Sequence, residues 1–559
     1  MKRTKKIVAL LLTVFMLGGL LSGCGAGSSD KDTITLTVYS QLANYSGEMQ
    51  GWFAKILKDK WNVKINLISE TGGVFETRME SGNLGDIVVF GSDGKQYQQA
   101  VSEGMLLDWE EDDLLADYGS TIAEKMPDAL EKNREISGTG KVYGFAANAV
   151  SSAANHDAFF YTWDIRWDLY AQLGYPEVKN LDDLISVFEE MKKICPTDDA
   201  GNPTYAMSLW PDWDGNYVMY VKAMATAYYG YDEMGIGHYN SSNGEYYDAL
   251  SEGSPYLEML KFFNKLYQKG LLDPDSATQD YNKMIEKVQN GGVFFSIFDY
   301  AGSAAFNKPV HYEKNQIMRS LAPTEATPIV YGLSTVGGNR IWSIGANSQY
   351  PELCMEIIDW LCTPEGRITL DYGPKGLCWD YDENGKTYMT DFGLTCVEDR
   401  NTMMPAEWGG ATFNDGAFQI NNITWAYMEV NPESGEPYKR EMWASYQKAD
   451  GECEADLDWR EKTGATTVQE YMENTNYVVD VATTFSEGEK SSELELKWNQ
   501  VIDCIITYSW RAMYAESDAE YDKIVSEMCG KAKMYGYDEC IEWCKEEAAR
   551  KNALQEPLR

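Results

Sequence analysis

The stretch that decides the fold runs from residue 33 to residue 90 and reads TITLTVYSQLANYSGEMQGWFAKILKDKWNVKINLISETGGVFETRMESGNLGDIVVF. Apolar residues alternate with polar ones over 34–38 and again over 63–67, which is typical of strands with one buried face. Residues 87–90 are continuously apolar, as expected of a strand buried on both faces. Segments of helical spacing separate the three. This β-α-β-α-β order predicts parallel strands joined by right-handed crossovers in an α/β fold.

The carboxyl ends of these predicted strands are the first candidate ligand contacts. In open α/β sheets, ligands bind beyond the carboxyl ends of the strands. Two of those ends read Tyr39-Ser40-Gln41 and Gly91-Ser92-Asp93, so Ser40 and Asp93 are predicted to contact a ligand.

The middle of the chain continues the alternation of helices and strands. A helix is predicted from Trp163 to Leu173, and Asn180 is predicted to cap a second helix beginning at Leu181. Pro255 after Ser254 opens another helix. The apolar run 293–298 predicts a second buried strand, which ends at Asp299-Tyr300.

The amino end of the chain has the layout of a secretory signal. A basic start, Lys2 to Lys6, precedes an apolar run, and Leu21-Ser22-Gly23-Cys24 closes it. These four residues resemble the lipobox of bacterial lipoproteins, which implies lipidation of Cys24 and two or three acyl chains for stable anchoring. We therefore expect residues 1–23 to be a signal peptide and 24–32 a flexible lipidated tether to the outer face of the cell membrane.

The amino-acid composition bears on which classes of ligand the protein could bind. The formal net charge of −39 repels phosphate backbones, so nucleic acid is not an expected partner. The 17 Trp and 37 Tyr offer flat apolar faces with polar edges. Eleven cysteines are scattered without a dense framework, and with three histidines no transition-metal spacing is present. The sequence does not reveal which cysteines pair. For Cys540 and Cys544, we expect buried free thiols rather than a metal site or a disulfide.

Four motifs in order resemble one protein family. They are Leu84-Gly85-Asp86-Ile87-Val88-Val89, Lys141-Val142-Tyr143-Gly144-Phe145, Leu173-Gly174-Tyr175-Pro176 followed by Leu181-Asp182-Asp183-Leu184, and Asp359-Trp360-Leu361-Cys362-Thr363-Pro364-Glu365-Gly366. This order resembles extracellular solute-binding proteins, and more narrowly the sugar-binding lipoproteins of Gram-positive ABC importers.

The resemblance implies an α/β, two-lobed periplasmic-binding-protein-like (type II) fold. Each lobe is expected to be a mixed sheet flanked by helices, with the ligand cleft between the lobes. We place the amino-terminal lobe at 33–147 and about 301–360, and the carboxy-terminal lobe at 148–300 and about 361–559. Asn148, at the first expected crossing, is a candidate ligand contact. Larger relatives carry a calcium loop where this chain reads Pro196 to Pro203; only fragments of the acidic pattern remain here, which disfavours calcium, and no other cofactor is expected.

A sugar ligand would need aromatic platforms beside hydrogen-bonding side chains. An aromatic face buries the C–H face of a sugar ring at about 25 cal/mol per Å², while each unmatched buried hydroxyl costs about 1–3 kcal/mol. Aromatic residues stand next to carboxylates or glycines at several points in segments without periodicity. The resulting candidates are Trp210, Asp212, Trp213, Asp299, Tyr300, Trp379 and Trp408.

The expected function is therefore a substrate-binding lipoprotein, not an enzyme. It would capture an oligosaccharide, act as a monomer and deliver the sugar to the transmembrane subunits of a separate permease. The alternative is a membrane-tethered glycan-degrading enzyme, for which carboxylate pairs are the signature; with 87 acidic residues, such pairs carry no information. A surface adhesin is the third reading, and the repeats expected of one are missing.

Overall fold

The computed structural model describes residues 33–152, 156–447, 451–485 and 487–559. The predicted signal peptide, Cys24 and the tether lie outside these residues. The strands are β1 Ile34–Ser40, β2 Gly47–Glu48, β3 Val63–Ser69, β4 Ile87–Phe90, β5 Gly144–Ala146, β6 Tyr161–Arg166, β7 Tyr231–Glu233, β8 Gly237–Asn240, β9 Tyr246–Asp248, β10 Phe295–Phe298, β11 Met318–Ser320, β12 Ile329–Tyr331, β13 Ile341–Ile344, β14 Trp379–Tyr381, β15 Thr387–Met389, β16 Val430–Asn431, β17 Glu436–Pro437 and β18 Val478–Asp480.

Helices cover both faces of the main sheets and form the carboxy-terminal part of the chain. The α-helices are Gly51–Trp61, Val74–Ser81, Lys95–Ser102, Leu114–Tyr118, Ser120–Lys125, Pro127–Ile136, Trp167–Gln172, Leu181–Ile194, Met219–Tyr229, Pro255–Gln268, Tyr281–Gln289, Ser303–Phe306, Pro309–Tyr312, Pro351–Cys362, Pro364–Tyr372, Asp391–Glu398, Glu454–Thr463, Val468–Glu473, Ser492–Met513, Asp518–Met534 and Tyr537–Gln555.

The first lobe is built on a six-stranded sheet with the order β2-β3-β1-β4-β13-β5. Strand β1 pairs in parallel with β3 and with β4, which confirms the β-α-β-α-β prediction. Strand β13 returns from much later in the chain and pairs antiparallel with both β4 and β5. The sheet is therefore mixed, with its parallel part formed by local sequence.

The second lobe contains a three-stranded sheet with the order β10-β6-β11, and both of its pairings are antiparallel. The helix predicted from Trp163 is wrong at its start, because Tyr161–Arg166 is strand β6 and the helix begins at Trp167. All six residues of β6 are buried. The helical spacing here coincided with a central strand whose pairing with β10 and β11 overrides local propensity.

Two of the predicted helix starts are confirmed in atomic detail. The side chain of Asn180 accepts hydrogen bonds from the backbone N–H groups of Asp182 and Asp183. The side chain of Ser254 accepts one from Leu257 N, and Pro255 occupies the first turn. Because these caps use short-range contacts, sequence alone locates them.

Two separate hydrophobic cores define the lobes, and they correct the predicted boundaries. The core of lobe 1 draws on residues between 36 and 149 and between 342 and 443. The core of lobe 2 draws on residues between 159 and 330 and between 455 and 544. The predicted crossings near 300 and 361 are therefore wrong, since residues 301–330 pack into lobe 2 and 361–443 into lobe 1. An amphipathic helix such as Pro351–Cys362 can cover either sheet, so its pattern does not reveal its lobe.

The chain crosses between the lobes at the carboxyl edge of the lobe 1 sheet. Strand β5 runs in the same direction as β1 and β4 and leads directly into the first crossing. The second crossing runs beside the first: Val150 N donates to Ser334 O and Asp157 N donates to Tyr331 O. Asn148 lies just before the first crossing. The edge predicted to bind ligand therefore faces lobe 2.

No helix in the described part of the chain is long and apolar enough to cross a membrane.

Candidate functional site

Aromatic side chains gather at the edge of lobe 2 that adjoins the crossings. Strand β6 begins a few residues after the first crossing, and its Tyr161 pairs with Phe298 at the end of β10. Phe160 and Tyr300 extend from these two strand ends, with ring centroids 6.0 Å apart. Each lobe thus has an edge beside the crossings, and the lobe 2 edge is aromatic.

Two of the sequence-predicted segments converge on this edge. The Trp213 ring lies 5.0 Å from the Trp210 ring and 6.0 Å from the Tyr300 ring. Trp213 also stacks on Tyr281, with centroids 4.9 Å apart and an interplanar angle of 24°. The loop 210–216 and the end of β10 are distant in sequence, and the structure brings them together. We call Phe160, Trp213, Tyr281 and Tyr300 the aromatic cluster.

Within this region, the two tryptophans of the loop have different roles. Trp210 is fully buried and contacts Trp213, Tyr220 and Tyr281 edge-on, so it forms the base of the cluster. Trp213 is 49% exposed although it is stacked on one side. A half-exposed indole held flat by a second ring is suited to receive the apolar face of a ligand.

The loop that carries Trp213 is held by its neighbouring carboxylate. Asp214 accepts hydrogen bonds from Met219 N at 2.9 Å and from Trp510 Nε1 at 2.7 Å. Burial raises the pKa of Asp214 to about 6. Asp212, on the other side of Trp213, is exposed. Asp214 therefore positions the platform, while Asp212 is free to meet solvent or ligand.

The predicted contact Asp299 sits beside a second, buried carboxylate. Asp299 is exposed and accepts a hydrogen bond from Ser303 Oγ at 2.6 Å. Burial and the charge of Asp299 raise the pKa of Asp164 to about 6. A glycosidase also uses two carboxyl groups. Asp164, however, has no exposed surface, so it cannot reach a substrate in this conformation.

The facing edge of lobe 1 is polar. Gln41 Nε2 donates to Gln96 Oε1 at 2.6 Å, and Gly91 N donates to Gln41 Oε1 at 2.7 Å. The predicted contact Ser40 is fully buried, and its hydroxyl donates to Ile420 O. Ser40 thus fixes a loop of lobe 1, and the amides of Gln41 and Gln96 are better placed to meet hydroxyl groups.

The other two lobe 1 candidates at strand ends are constrained by their surroundings. Asp93 pairs with the buried ammonium of Lys132, at 3.5 Å between Oδ2 and Nζ. Asn148 adopts a left-handed backbone with φ of 62°, which asparagine tolerates better than most residues. Asn148 is half-buried at the start of the first crossing, so a role in shaping that turn accompanies its predicted role as a contact.

The two remaining tryptophan candidates pack within lobe 1. Trp379 is fully buried, and its indole N–H donates to Gly373 O at 2.8 Å. This placement leaves it no surface for a ligand. Trp408 is half-buried, and Lys55 Nζ lies 5.7 Å from its ring centroid.

Sequence reasoning missed two members of the aromatic cluster. Phe160 is 48% exposed and follows the first crossing directly, but it was covered by no periodic pattern. Tyr281 opens a helix that is capped by the Asp280 side chain. The only sequence signal for either residue is its position at the end of a strand or at the start of a helix. That signal becomes informative once these ends are located in the structure.

Lobe 2 also contains a polar cavity of about 510 Å³. It lies beside the loop from Pro196 to Pro203, where larger relatives carry a calcium loop. Its main charges satisfy one another, since Lys287 Nζ lies 2.7 Å from Asp273 Oδ2 and 2.9 Å from Asp275 Oδ2. In the loop itself, Asp198 Oδ1 accepts hydrogen bonds from Ala200 N and Asn202 N. Among the described residues, no group of three or more His, Cys, Asp or Glu is arranged to hold a metal.

The cysteines in the described part of the chain are all free thiols. Cys540 and Cys544 are buried, and the Cys544 sulfur accepts a hydrogen bond from Ile236 N. Burial raises the pKa of both thiols to about 11. These groups are therefore structural, and none forms part of the aromatic site.

The fold agrees with a comparison against known families. The model of the bacterial extracellular solute-binding proteins matches residues 52–371, more than half of the 559 residues. The chain belongs to this family. The match confirms the family expected from the four motifs, and it makes this chain a solute-binding protein whose ligand site is expected between the lobes.

Individual relatives of this solute-binding protein are distant. Lipoprotein LipO of Bacillus subtilis (strain 168) is 24% identical over 302 residues, which are 51% of this chain and 54% of LipO. The matched region thus spans about half the length of this curated relative.

Solved structures match over nearly the whole chain. A solute-binding protein from Bifidobacterium longum subsp. infantis has 15% identity and a TM-score of 0.59, covering 94% of this chain and 100% of its own. S. pneumoniae FusA in complex with kestose has 16% identity and a TM-score of 0.55, covering 93% and 99%. The N-glycan transport protein NgtS from Streptococcus pneumoniae has 14% identity and a TM-score of 0.53, covering 93% and 99%. At these identities the likeness shows the two-lobed fold alone.

Proposed function

We propose that this solute-binding protein captures an oligosaccharide for an ABC importer. The observation that carries the proposal is Trp213, which is half exposed, stacked on Tyr281 and close to Tyr300 at the end of strand β10. Stacking on such a ring buries the C–H face of a sugar. Among solved structures of the same fold, FusA is in complex with kestose and NgtS is an N-glycan transport protein.

The polar groups of the two edges supply the second half of sugar recognition. Hydroxyl groups need paired donors and acceptors when they are buried. Asp212 and Asp299 beside the aromatic cluster and the amides of Gln41 and Gln96 on the opposite edge offer such partners. A sugar bridging both edges would favour the closed arrangement of the lobes by its contacts to each.

The importer itself requires other chains. Transmembrane and ATP-hydrolysing subunits would recognise the closed, loaded form and move the sugar across the membrane. We place the protein on the outer face of the cell membrane, anchored through lipidated Cys24. The sequence Leu21-Ser22-Gly23-Cys24 supports this placement, and the relative LipO is itself a lipoprotein.

The test is a glycan array on the purified full chain, followed by calorimetric titration of the strongest neutral oligosaccharide. We expect saturable binding of one oligosaccharide per chain, with the glycan recovered intact. Because Asp164 and Asp299 form a carboxylate pair, chromatography of each bound glycan checks for cleavage. New reducing ends that disappear in the Asp299→Asn variant would overturn the receptor proposal and favour the tethered enzyme.

A further inference from the structure

A second cavity lies where lobe 1 meets the first crossing. It measures about 360 Å³, and its walls come from four separate parts of lobe 1 and from Asp157 on the crossing. Its basic lining residues are Arg400, Lys439 and Arg440. Its acidic lining residues are Asp157, Asp371 and Glu441, so basic and acidic side chains are equal in number in a chain that has 48 basic and 87 acidic residues.

Arg440 is the central group, because its guanidinium packs on the rings of Tyr446 and Tyr372, at 4.9 and 6.0 Å from their centroids, while two of its nitrogen atoms have no acceptor among the described residues. Its side chain is 15% exposed, and its ion pair from Nη2 to Glu441 Oε1 is long at 3.5 Å. The Nε and Nη1 atoms are buried and have no hydrogen-bond acceptor in the part of the chain that the structure describes. Buried N–H groups of a charged side chain are costly when they are unmatched, so these two can each donate to an acceptor that enters the cavity.

Arg400 and Lys439 add positive charge to the same cavity. Arg400 donates through Nε to Asn414 Oδ1 at 3.1 Å, and its guanidinium carbon lies 5.3 Å from the Phe413 ring centroid. Neither Arg400 nor Lys439 forms an ion pair within 4.0 Å among residues 33–152, 156–447, 451–485 and 487–559. Arg400 is exposed and Lys439 is half-buried, so both lie where a solute could reach them.

Three carboxylates line the same cavity, those of Asp371, Glu441 and Asp157. Asp371 is already paired with the fully buried Arg367, and Tyr427 donates a hydrogen bond to it at 3.2 Å. Glu441 is 45% exposed. Burial raises the pKa of Asp157. Of the charged groups that line the cavity, Arg440 is therefore the one with buried donors that have no acceptor among the described residues.

We propose that this cavity binds an oxyanion, the carboxylate, sulfate or phosphate group of a small solute, held by Arg440 with Arg400 and Lys439. A guanidinium matches such groups with two parallel N–H···O bonds, and a lysine adds a point charge. The lining residues of this cavity differ from those of the aromatic cluster, and the site goes beyond the proposed function because neutral sugars do not need it.

The experiment titrates sodium sulfate into the full chain by calorimetry, at ionic strength held constant with sodium chloride. We expect saturable sulfate binding by the wild type, and at least tenfold weaker binding by Arg440→Gln and by Arg400→Gln, since each removes charge-assisted hydrogen bonds. Arg511→Gln is the matched control, because Arg511 is exposed on the helix Ser492–Met513 of lobe 2 and contacts the Tyr508 ring. It should bind sulfate as the wild type does.

Because Arg400 is exposed, its replacement should not disturb folding. The thermal unfolding transition of each variant, measured in chloride alone, checks this. Absence of saturable sulfate binding by the wild type would overturn the inference. So would equal binding by the wild type and both cavity variants.

Two further arms identify the source of the anion. If binding of uronate-containing or sulfated glycans weakens in Arg440→Gln and also in Trp213→Ala, the oxyanion belongs to the transported glycan. If sulfate binding depends on Arg440 but not on Trp213, the cavity takes a free inorganic anion. Arg440-dependent sulfate binding together with a silent glycan array would retain this inference while rejecting the proposed function.

Discussion

Replacement of Trp213 by alanine tests the sugar platform most directly. The change removes the indole that lies between Tyr281 on one side and the open edge of lobe 2 on the other. It leaves Trp210, which forms the buried base, in place. We expect Trp213→Ala to fold normally and to lose affinity for the oligosaccharide.

The magnitude follows from the exposed area of the ring. A tryptophan side chain offers up to about 250 Å², and Trp213 is 49% exposed, which leaves roughly 120 Å² free. At about 25 cal/mol per Å², complete coverage of that area would contribute about 3 kcal/mol. A sugar covers one face and not the edges, so about half is realised. A loss of about 1.5 kcal/mol corresponds to a roughly tenfold rise in Kd.

The assay is calorimetric titration of the same oligosaccharide into the wild type and two variants. Trp543→Ala is the matched control, because Trp543 is also half-buried but packs against Trp498 in the carboxy-terminal helices, with centroids 5.4 Å apart. We expect its Kd to equal that of the wild type. Loss of the Trp213–Tyr281 stack should lower the free energy of unfolding by only about 1 kcal/mol.

An unchanged Kd in Trp213→Ala would refute this reasoning, since the indole would then contribute no ligand contact. A similar loss in both variants would point to a general effect on folding, which urea denaturation of each variant would reveal.

Three other predictions concern stability and placement. The pKa of Asp164 is raised to about 6 from 3.8, so the folded state holds its proton more tightly than the unfolded state. The contribution of Asp164 to stability is therefore full below about pH 4 and falls as the pH rises to about 6. In urea denaturation across this range, the wild type should lose up to about 3 kcal/mol of unfolding free energy that the Asp164→Asn variant does not lose. Arg367→Met should lower the free energy of unfolding by about 3 kcal/mol, because Asp371 loses the partner of a largely buried ion pair; an unchanged urea midpoint would contradict this. Cys24→Ser should shift the protein from the membrane fraction to the medium in cell fractionation, and its retention at the membrane would argue against the lipid anchor.

Local sequence patterns determined a large part of this fold. The parallel arrangement of β1, β3 and β4 follows from alternating and continuous apolar runs that are separated by helical segments. The caps at Asn180 and Ser254 follow from side chains that bond to backbone N–H groups within a few residues. The choice of the loop 210–216 and of Tyr300 as candidates came from composition and from position after a buried strand, and the structure brings these segments together.

Only the tertiary structure decided which residues share a lobe and which share a site. The segment at Trp163 carries helical spacing, yet it forms a central strand because β10 and β11 supply its hydrogen-bond partners. Trp379 and Trp213 look alike in sequence, but one is fully buried and the other is half exposed. The expected roles of Phe160, Tyr281 and Arg440 depend on contacts with residues far along the chain. Periodicity records which face of an element is apolar, whereas the partner that covers that face is set by packing across the whole molecule.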